Sequence, residues 1–293
     1  MRLPGLAPTA AVLVAVVLAG GGAEPSAGAS APRTGHGRVE VLRLPSGDAD
    51  RRPREVWVYR PPGPDRADRP VVYFLHGYPG NDRNGESVGL PALLDRASAA
   101  LGRGFVVALP DGGSAIHPDT EWADSVDRKV RLERFVTLSL VRAVEGRHPR
   151  DRQHRAIAGF SMGGYGAMNL GLRHPELYGQ IAAVAGYFHP DDPDRMGGGR
   201  KSWAAANSPD RLLARGQRTR LLVIEDADED DPLIKGEAAR FTRLARTVGL
   251  DPTLTVAPGR HDWPMVAGQV PAIAGFFDAG WPRPRPAAAR RAG

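Results

Sequence analysis

A serine between glycines is the feature of this sequence that most directly indicates chemistry: Gly159-Phe160-Ser161-Met162-Gly163-Gly164. The apolar run from Ala156 to Gly159 predicts a short buried strand, and the stretch from Met162 to His174 predicts a helix. Ser161 should therefore lie on a sharp turn, where small neighbours let strand and helix approach closely. At a helix N-terminus, backbone N–H groups and the helix dipole favour the negative charge that develops during acyl transfer. We therefore predict that Ser161 is a nucleophile.

His261 is the candidate general base. It lies in Pro258-Gly259-Arg260-His261-Asp262-Trp263, after the last predicted strand and before the last predicted helix. An imidazole has its unperturbed pKa near neutral pH, so it can take the serine proton and return it to the leaving group. The other histidines lie in polar or turn contexts, apart from His76, which belongs to a glycine-rich loop.

That loop, His76-Gly77-Tyr78-Pro79-Gly80, follows the apolar run from Val71 to Leu75. A hydrolase with a serine elbow needs a loop at this place that offers a backbone N–H group to the developing oxyanion. We predict the N–H of Tyr78 as one donor and the N–H of Met162 as the other.

A carboxylate must orient the imidazole, and the sequence offers too many of them. The apolar run from Leu221 to Ile224 is followed by Glu225-Asp226-Ala227-Asp228-Glu229-Asp230-Asp231-Pro232-Leu233. We predict Asp231, directly before Pro232, as the acid, with Asp228 as the alternative.

The same loop has a second interpretation, because Asp226, Asp228, Asp230 and Glu237 have the spacing of calcium ligands in an EF-hand. Asp231 stands where that loop needs glycine, and a strand precedes the loop instead of a helix. We therefore predict no metal site, and the sequence contains no pattern for a nucleotide or flavin cofactor.

Two tryptophans are candidates for a substrate pocket. Trp122 and Trp203 lie in loop-rich segments where they could line an acyl or aromatic pocket, or belong to the core. Glu121, Asp124 and Ser125 could bind a sugar or be ordinary loop residues.

Strand-like and helix-like segments alternate along the chain. Apolar runs predict strands at Glu55 to Arg60, Val71 to Leu75, Phe105 to Leu109, Ala156 to Gly159, Ile181 to Ala185, Leu221 to Ile224 and Thr253 to Ala257. Helices are predicted near Leu90 to Leu101, Val130 to Glu145, Met162 to Arg173, Gly236 to Val248 and Met265 to Phe277. This alternation predicts an α/β fold with a mostly parallel central sheet and helices on both faces. The candidate residues follow the carboxyl ends of strands, where such sheets carry their chemistry.

With serine, acid and histidine in this order, the chain resembles the esterase family of α/β-hydrolases that includes esterase D, feruloyl and acetylxylan esterases and the mycobacterial mycolyltransferases. The resemblance spans about Arg54 to Phe277. It rests on Phe74-Leu75-His76-Gly77, on Gly159 to Ala167, on His174-Pro175-Glu176-Leu177-Tyr178 and on Gly259 to Trp263. Family members often carry Gly-x-x-Asp-x-Leu about thirty residues before the histidine, which supports Asp231, although Asp228 stands in the place of the glycine.

The first residues indicate export. Met1-Arg2 precedes an apolar stretch from Ala10 to Ala19 and a run of small residues, a pattern typical of a secretory signal peptide. We predict a signal peptide at 1–31, a flexible segment at 32–50, a catalytic domain at 51–280 and a disordered tail at 281–293. The apolar stretch is short for a membrane span, so we expect a secreted protein without a stable membrane anchor.

The chain has 293 residues, a net charge of +6 and no cysteine. A catalytic cysteine, a disulfide and a thiolate metal site are therefore excluded. The arginines are scattered and do not alternate with aromatic residues, so nucleic acid is not an expected partner.

The expected function is a secreted serine carboxylic-ester hydrolase that forms an acyl-enzyme and acts on a small-molecule or carbohydrate-linked ester. Two alternatives are an acyltransferase of the mycolyltransferase type and a non-catalytic binding protein with the same fold. The first would use the same triad, and an intact triad argues against the second.

Overall fold

The computed structural model describes residues 35–283 except Gln217. The strands are β1 (Arg38–Pro45), β2 (Pro53–Arg60), β3 (Val71–Leu75), β4 (Val106–Pro110), β5 (Arg155–Phe160), β6 (Gln180–Val184), β7 (Arg220–Asp226) and β8 (Thr253–Ala257). The longer helices are α1 (Leu90–Leu101), α4 (Met162–Arg173), α8 (Glu237–Thr247) and α10 (Val270–Gly280). A continuous helical segment comprises α2 (Leu132–Arg134), a π-helical part (Phe135–Leu140) and α3 (Val141–Glu145). Short helices are α5 (Pro193–Gly197), α6 (Lys201–Ala206), α7 (Pro209–Leu212) and α9 (Trp263–Gly268), with 3-10 turns at Asn84–Val88, Arg152–His154 and Leu213–Gly216.

The described strands form one sheet in the order β1-β2-β4-β3-β5-β6-β7-β8. From β4 to β8 every neighbouring pair is parallel, whereas β1 pairs antiparallel with β2 and β2 antiparallel with β4. Because parallel strands share an edge, the loops that follow β3, β5, β7 and β8 emerge on the same side. This arrangement confirms the predicted fold class.

Apolar side chains fill both faces of the sheet. One core cluster includes Phe135, Ile157 and Phe241, and the other includes Val107, Ala158 and Phe277. Ile157 and Ala158 are neighbours on β5 and point to opposite faces, as the pleat requires. A strand buried on both sides reads as a continuous apolar run, which is why the central strands could be predicted from the sequence.

The predicted flexible segment 32–50 contains β1. Its side chains alternate between half-buried and exposed, and Val39 and Val41 are among the exposed ones. Leu42 and Leu44 pack against the core. An edge strand with one half-covered face lacks the continuous apolar run that marks a central strand.

The predicted signal peptide lies outside the described residues, as does nearly all of the predicted tail. Within residues 35–283, apart from Gln217, the helices are too short or too polar to cross a membrane.

Candidate active site

Ser161 lies on the turn between β5 and α4. Its backbone has φ 58° and ψ −122°, a conformation that side-chain-bearing residues rarely adopt. The turn is held by a hydrogen bond from the Ser161 N–H to the Val184 carbonyl oxygen, 2.9 Å long. The residue is 8% exposed, so its hydroxyl lies at the edge of the core.

Two glycines make this turn sterically feasible. A methyl group on Gly163 would lie 2.0 Å from the Leu75 carbonyl oxygen, and one on Gly159 would lie 2.1 Å from the Gly163 carbonyl oxygen. Both contacts are with backbone atoms that cannot move aside. The glycines therefore allow α4 to start directly against β3 and β5, with Ser161 at the junction.

The loop after β3 touches this elbow. A methyl group on Gly77 would lie 3.0 Å from Cβ of Ser161, so the Gly77–Tyr78 peptide passes close to the serine. The Tyr78 N–H follows directly in this loop. Met162 is the first residue of α4, where the helix leaves the backbone N–H without an intrahelical acceptor. Met162 adjoins Ser161 in the chain and Tyr78 follows the glycine that approaches it, and their role as oxyanion donors stays a prediction.

His76 holds the base of that loop. The Gly112 N–H donates to its Nε2 at 2.8 Å, so Nδ1 carries the proton and donates to the Gly77 carbonyl oxygen, also at 2.8 Å. The ring is buried. His76 therefore stabilises the conformation of the loop and is not accessible to a substrate.

His261 follows β8 and lies beside the elbow. Its ring centroid is 4.5 Å from that of Phe160, the residue before Ser161. Nδ1 donates to Oδ2 of Asp226 at 3.0 Å. This leaves Nε2 as the ring nitrogen available to Ser161.

The register of the sheet explains why Asp226 meets His261. Asp226 ends β7 and is paired with Ala257, the last residue of β8. The pairing continues beyond both strands, since the Asp228 N–H donates to the Gly259 carbonyl oxygen. Two residues after Gly259, the chain brings the His261 ring over Asp226.

A second carboxyl group adjoins the ring. Oε2 of Glu229 lies 2.8 Å from Nδ1 of His261, and Oε1 accepts the Asp231 N–H at 2.7 Å. Glu229 is 8% exposed and Asp226 is 2% exposed. The imidazole therefore has two buried carboxyl neighbours.

The two carboxyl groups differ electrostatically. Burial would raise the pKa of Asp226, but hydrogen bonds with His261 and Glu229 outweigh it and lower that pKa. Burial and the neighbouring Asp226 together raise the pKa of Glu229. Burial would lower the pKa of His261, but the hydrogen bond to Asp226 and the two nearby carboxyl groups raise it.

The geometry corrects the choice of acid made from the sequence. Asp231 is exposed, and its Oδ1 accepts the Leu233 N–H at 2.9 Å, so the side chain stabilises a turn. Asp228 is exposed as well, and its contact with the His261 segment is made by its backbone N–H. The side chain that hydrogen-bonds the imidazole is that of Asp226.

The EF-hand interpretation is not supported either. Glu237 lies on α8 and binds Arg240 with both carboxylate oxygens, at 2.5 and 2.8 Å. Asp226, Glu229 and His261 do place ligand-type atoms within 4.8 Å of one another. These groups contact one another, with Nδ1 of His261 donating to Asp226. We assign no metal site to this cluster.

Full burial of Trp122 contradicts its predicted pocket role, whereas the pocket role of Trp203 stays a prediction that its contacts do not support. Trp122 is 0% exposed, and its indole N–H donates to the His76 carbonyl oxygen at 3.0 Å. Trp203 is half-buried and donates to the Asp124 carbonyl oxygen at 2.9 Å. Trp122 thus holds the loop after β3 through the His76 carbonyl oxygen, and Trp203 holds the segment around Asp124.

The three residues considered for sugar binding are also engaged within the fold. Glu121 is buried and accepts the Asp191 N–H at 2.6 Å, and burial raises its pKa to about 7. Asp124 accepts the Arg134 N–H at 3.2 Å, and the Ser125 hydroxyl donates to Asp127 at 2.6 Å.

The apolar surface beside His261 comes from residues that sequence reasoning missed. The Trp263 ring lies 5.9 Å from that of Phe74 and 6.1 Å from that of Phe160. Phe74 and Trp263 also line an apolar cavity bounded by α1, α9 and α10. The sequence indicated these residues only by their positions, with Phe74 two residues before His76 and Trp263 two residues after His261.

Comparison with known proteins gives the family. The profile of the family described as "Putative esterase" matches residues 48–263. S-formylglutathione hydrolase of Paracoccus denitrificans is 26% identical over 218 residues, covering 68% of this chain and 74% of the relative. The rat enzyme of the same name is 28% identical over 150 residues, covering 45% of this chain and about half (51%) of the relative.

Solved structures show the same fold. A ferulic acid esterase superposes with a TM-score of 0.72 at 23% identity, covering 84% of this chain and 99% of the other. S-formylglutathione hydrolase of Agrobacterium tumefaciens gives a TM-score of 0.70 at 20% identity, covering 84% and 96%. MPT51 of Mycobacterium tuberculosis gives 0.63 at 21% identity, covering 84% and 99%. Together with the family match over most of its length, this fold shows that the chain is an enzyme of the Putative esterase family of α/β-hydrolases.

Proposed function

We propose that the protein is a secreted serine carboxylic-ester hydrolase whose triad is Ser161, His261 and Asp226. The observation that carries the proposal is the hydrogen bond from His261 Nδ1 to the buried Asp226 carboxylate, beside a strained serine elbow. A carboxylate in this position fixes the imidazole tautomer and stabilises the imidazolium that forms during catalysis.

In the first half-reaction, Ser161 Oγ attacks the ester carbonyl carbon while His261 Nε2 takes the hydroxyl proton. The carbonyl oxygen becomes an oxyanion, for which the N–H groups of Tyr78 and Met162 are the donors. When the intermediate collapses, the C–O bond to the alcohol breaks, and Nε2 returns the proton to the departing oxygen. Ser161 is then an acyl ester.

In the second half-reaction, water attacks the acyl carbon and gives a proton to Nε2 of His261. The bond to Ser161 Oγ breaks, Oγ takes the proton back, and the carboxylic acid leaves. Asp226 remains ionised throughout, since it stabilises the imidazolium and accepts no proton.

The first test is hydrolysis of p-nitrophenyl acetate, butyrate and octanoate. We expect Ser161→Ala to abolish turnover and Asp226→Asn to lower kcat by about 10²-fold or more, because the tautomer is no longer fixed. The matched control is Asp231→Asn in the same loop, which should stay within about 2-fold of wild type. A large loss with Asp231→Asn and none with Asp226→Asn would reject the assigned acid.

Two other functions are outcomes of a companion experiment. Reaction of Ser161 with an active-site phosphonate, read by mass spectrometry, would not occur in a non-catalytic binding protein. If Ser161 reacts but ester turnover requires an added sugar, and the sugar is recovered as its ester, the protein is an acyltransferase. Secretion is tested separately, by finding the protein in the culture medium of an expressing bacterium with a new N-terminus near residue 31.

A further inference from the structure

The surroundings of the His261 ring contain one more carboxyl group than a triad requires. Nδ1 carries one proton and donates a hydrogen bond to Oδ2 of Asp226, 3.0 Å away. Oε2 of Glu229 lies 2.8 Å from the same nitrogen but receives no well-directed hydrogen bond from it. One donor therefore faces two acceptors.

Two buried oxygens in this cluster are without a donor. Among the described side chains, Oδ1 of Asp226 and Oε2 of Glu229 are both inaccessible and unpaired. A buried carboxylate oxygen without a partner is costly, and two adjacent ionised carboxylates repel each other. The arrangement is thus unfavourable if both groups are ionised.

A single proton removes both problems. Oxygen atoms of Asp226 and Glu229 lie within 4.8 Å of each other and of the His261 ring nitrogen, and each carboxyl group shifts the pKa of the other. A protonated Glu229 can donate to Asp226, which satisfies the carboxylate and leaves one negative charge opposite the imidazole. Among the described residues, β5 contributes the apolar Phe160 ring beside His261, and the groups that shift the pKa of His261 are Asp226 and Glu229.

We propose that Glu229 is a positioning residue whose carboxyl group keeps its proton and donates a hydrogen bond to the ionised Asp226, and so fixes the Asp226 carboxylate against His261. The Asp231 N–H, which donates to Oε1 of Glu229 at 2.7 Å, sets the orientation of this carboxyl group. The inference rests on the proposed function, since it concerns the acid of the same triad.

The test is an NMR titration of His261 in protein labelled at histidine, with the His261 signal assigned from its absence in His261→Asn. Glutamine is neutral and can donate to Asp226, so it imitates a protonated Glu229. We expect Glu229→Gln to leave the pKa of His261 within about 0.5 unit of wild type. Asp226→Asn should lower it by about 1 unit or more, since the imidazolium loses its carboxylate partner.

The opposite result is equally clear. If Glu229 is ionised, Glu229→Gln removes a negative charge next to the ring, and the pKa of His261 falls by about as much as in Asp226→Asn. That outcome would overturn the proposal. Asp230→Asn removes an exposed carboxylate from the same loop and should leave the titration unchanged, which makes it the matched control.

Turnover supplies a second measurement. Glu229→Gln should keep kcat for p-nitrophenyl acetate within about 3-fold, whereas Glu229→Ala removes the donor and should lower kcat about 10-fold with little change in KM. Wild-type kcat in Glu229→Ala would also overturn the proposal. The titration needs no turnover, so an inactive wild-type protein would reject the proposed function while Glu229 is still judged by NMR.

Discussion

At the scale of single residues, the loop after β3 is held next to Ser161 by the side chain of Trp122. Trp122 lies beneath this loop, with its ring 5.0 Å from that of His76 and edge-on to it. Its indole N–H is bound to the His76 carbonyl oxygen, and methyl groups on Gly112 or Gly166 would collide with it. A fully buried indole with these contacts positions backbone and cannot contact a substrate.

Trp122→Phe tests this role. The change leaves the buried His76 carbonyl oxygen without its donor and creates a small cavity, so the free energy of unfolding should fall by about 1–3 kcal/mol. Because the loop carries the proposed Tyr78 donor, kcat should fall for all p-nitrophenyl esters. The ratio of kcat/KM for octanoate to that for acetate should remain within about 2-fold of wild type, since the indole does not touch the acyl chain.

Trp203→Phe is the matched control, because it also removes an indole N–H bound to a backbone carbonyl. It should lower stability without a comparable loss of kcat. A selective loss of octanoate hydrolysis in Trp122→Phe would show instead that this side chain does line the acyl site.

How far the sequence predicts individual residues depends on how local their roles are. Ser161 and the loop from His76 lie in short motifs that can be recognised in the sequence, although Gly163 and Gly77 are required by contacts between the two motifs. The acid is different, because seven consecutive residues contain six carboxylates if Glu225 to Asp231 are counted. Which of them meets His261 depends on the pairing of β7 with β8, and that register is not encoded in the loop.

At the scale of elements, the junction of β3, β5 and α4 determines where Ser161 lies. The close contact at Gly163 is with the backbone of β3, so α4 cannot shift without displacing a central strand. The strained Ser161 backbone is kept in place by this packing and by its bond to β6. Strain of this kind persists only where the surrounding structure determines the conformation.

Gly163→Ala should therefore lower the free energy of unfolding by about 3 kcal/mol or more, because a methyl group 2.0 Å from the Leu75 carbonyl oxygen must displace the backbone. Urea denaturation followed by circular dichroism measures the change. Gly275→Ala is the control: it lies in α10, and apart from its chain neighbours and the backbone of its own helix no described atom lies within 4 Å of the added methyl group. That variant should gain about 0.5–1 kcal/mol, since alanine restricts the unfolded chain and favours the helix. Equal midpoints for the two variants would contradict this account.

At the scale of the whole molecule, the central sheet could be predicted because strands buried on both faces read as apolar runs. The ends could not. β1 is an edge strand whose open face carries Val39, Val41 and Arg43. The predicted last helix is interrupted at Gln269, which separates α9 from α10. Residues before the predicted boundary at residue 51 thus make tertiary contacts with the folded region.

A domain that began at residue 51 would lack Asp48, the partner of Arg54 on β2. Its guanidinium group is buried, forms an ion pair with the buried Asp48, and donates to the carbonyl oxygens of Asp111 and Gly113. The other Asp48 oxygen accepts the Arg131 N–H at 2.8 Å. Asp48 therefore connects the segment after β1 to β2 and to the beginning of α2, and Arg54 extends the connection to the loop after β4.

Two shortened chains separate these contributions. A chain beginning at Gly35 keeps β1 and Asp48 and gives the reference urea midpoint. A chain beginning at Arg51 loses β1 and also Asp48, the ion-pair partner of the buried Arg54. Removing one partner of a buried ion pair should lower the free energy of unfolding by about 3–5 kcal/mol. Asp48→Asn in the longer chain isolates the ion pair, and should account for most of that loss if Arg54 is the main cause. Equal midpoints for the chains beginning at Gly35 and Arg51 would restore residue 51 as the start of the folded domain.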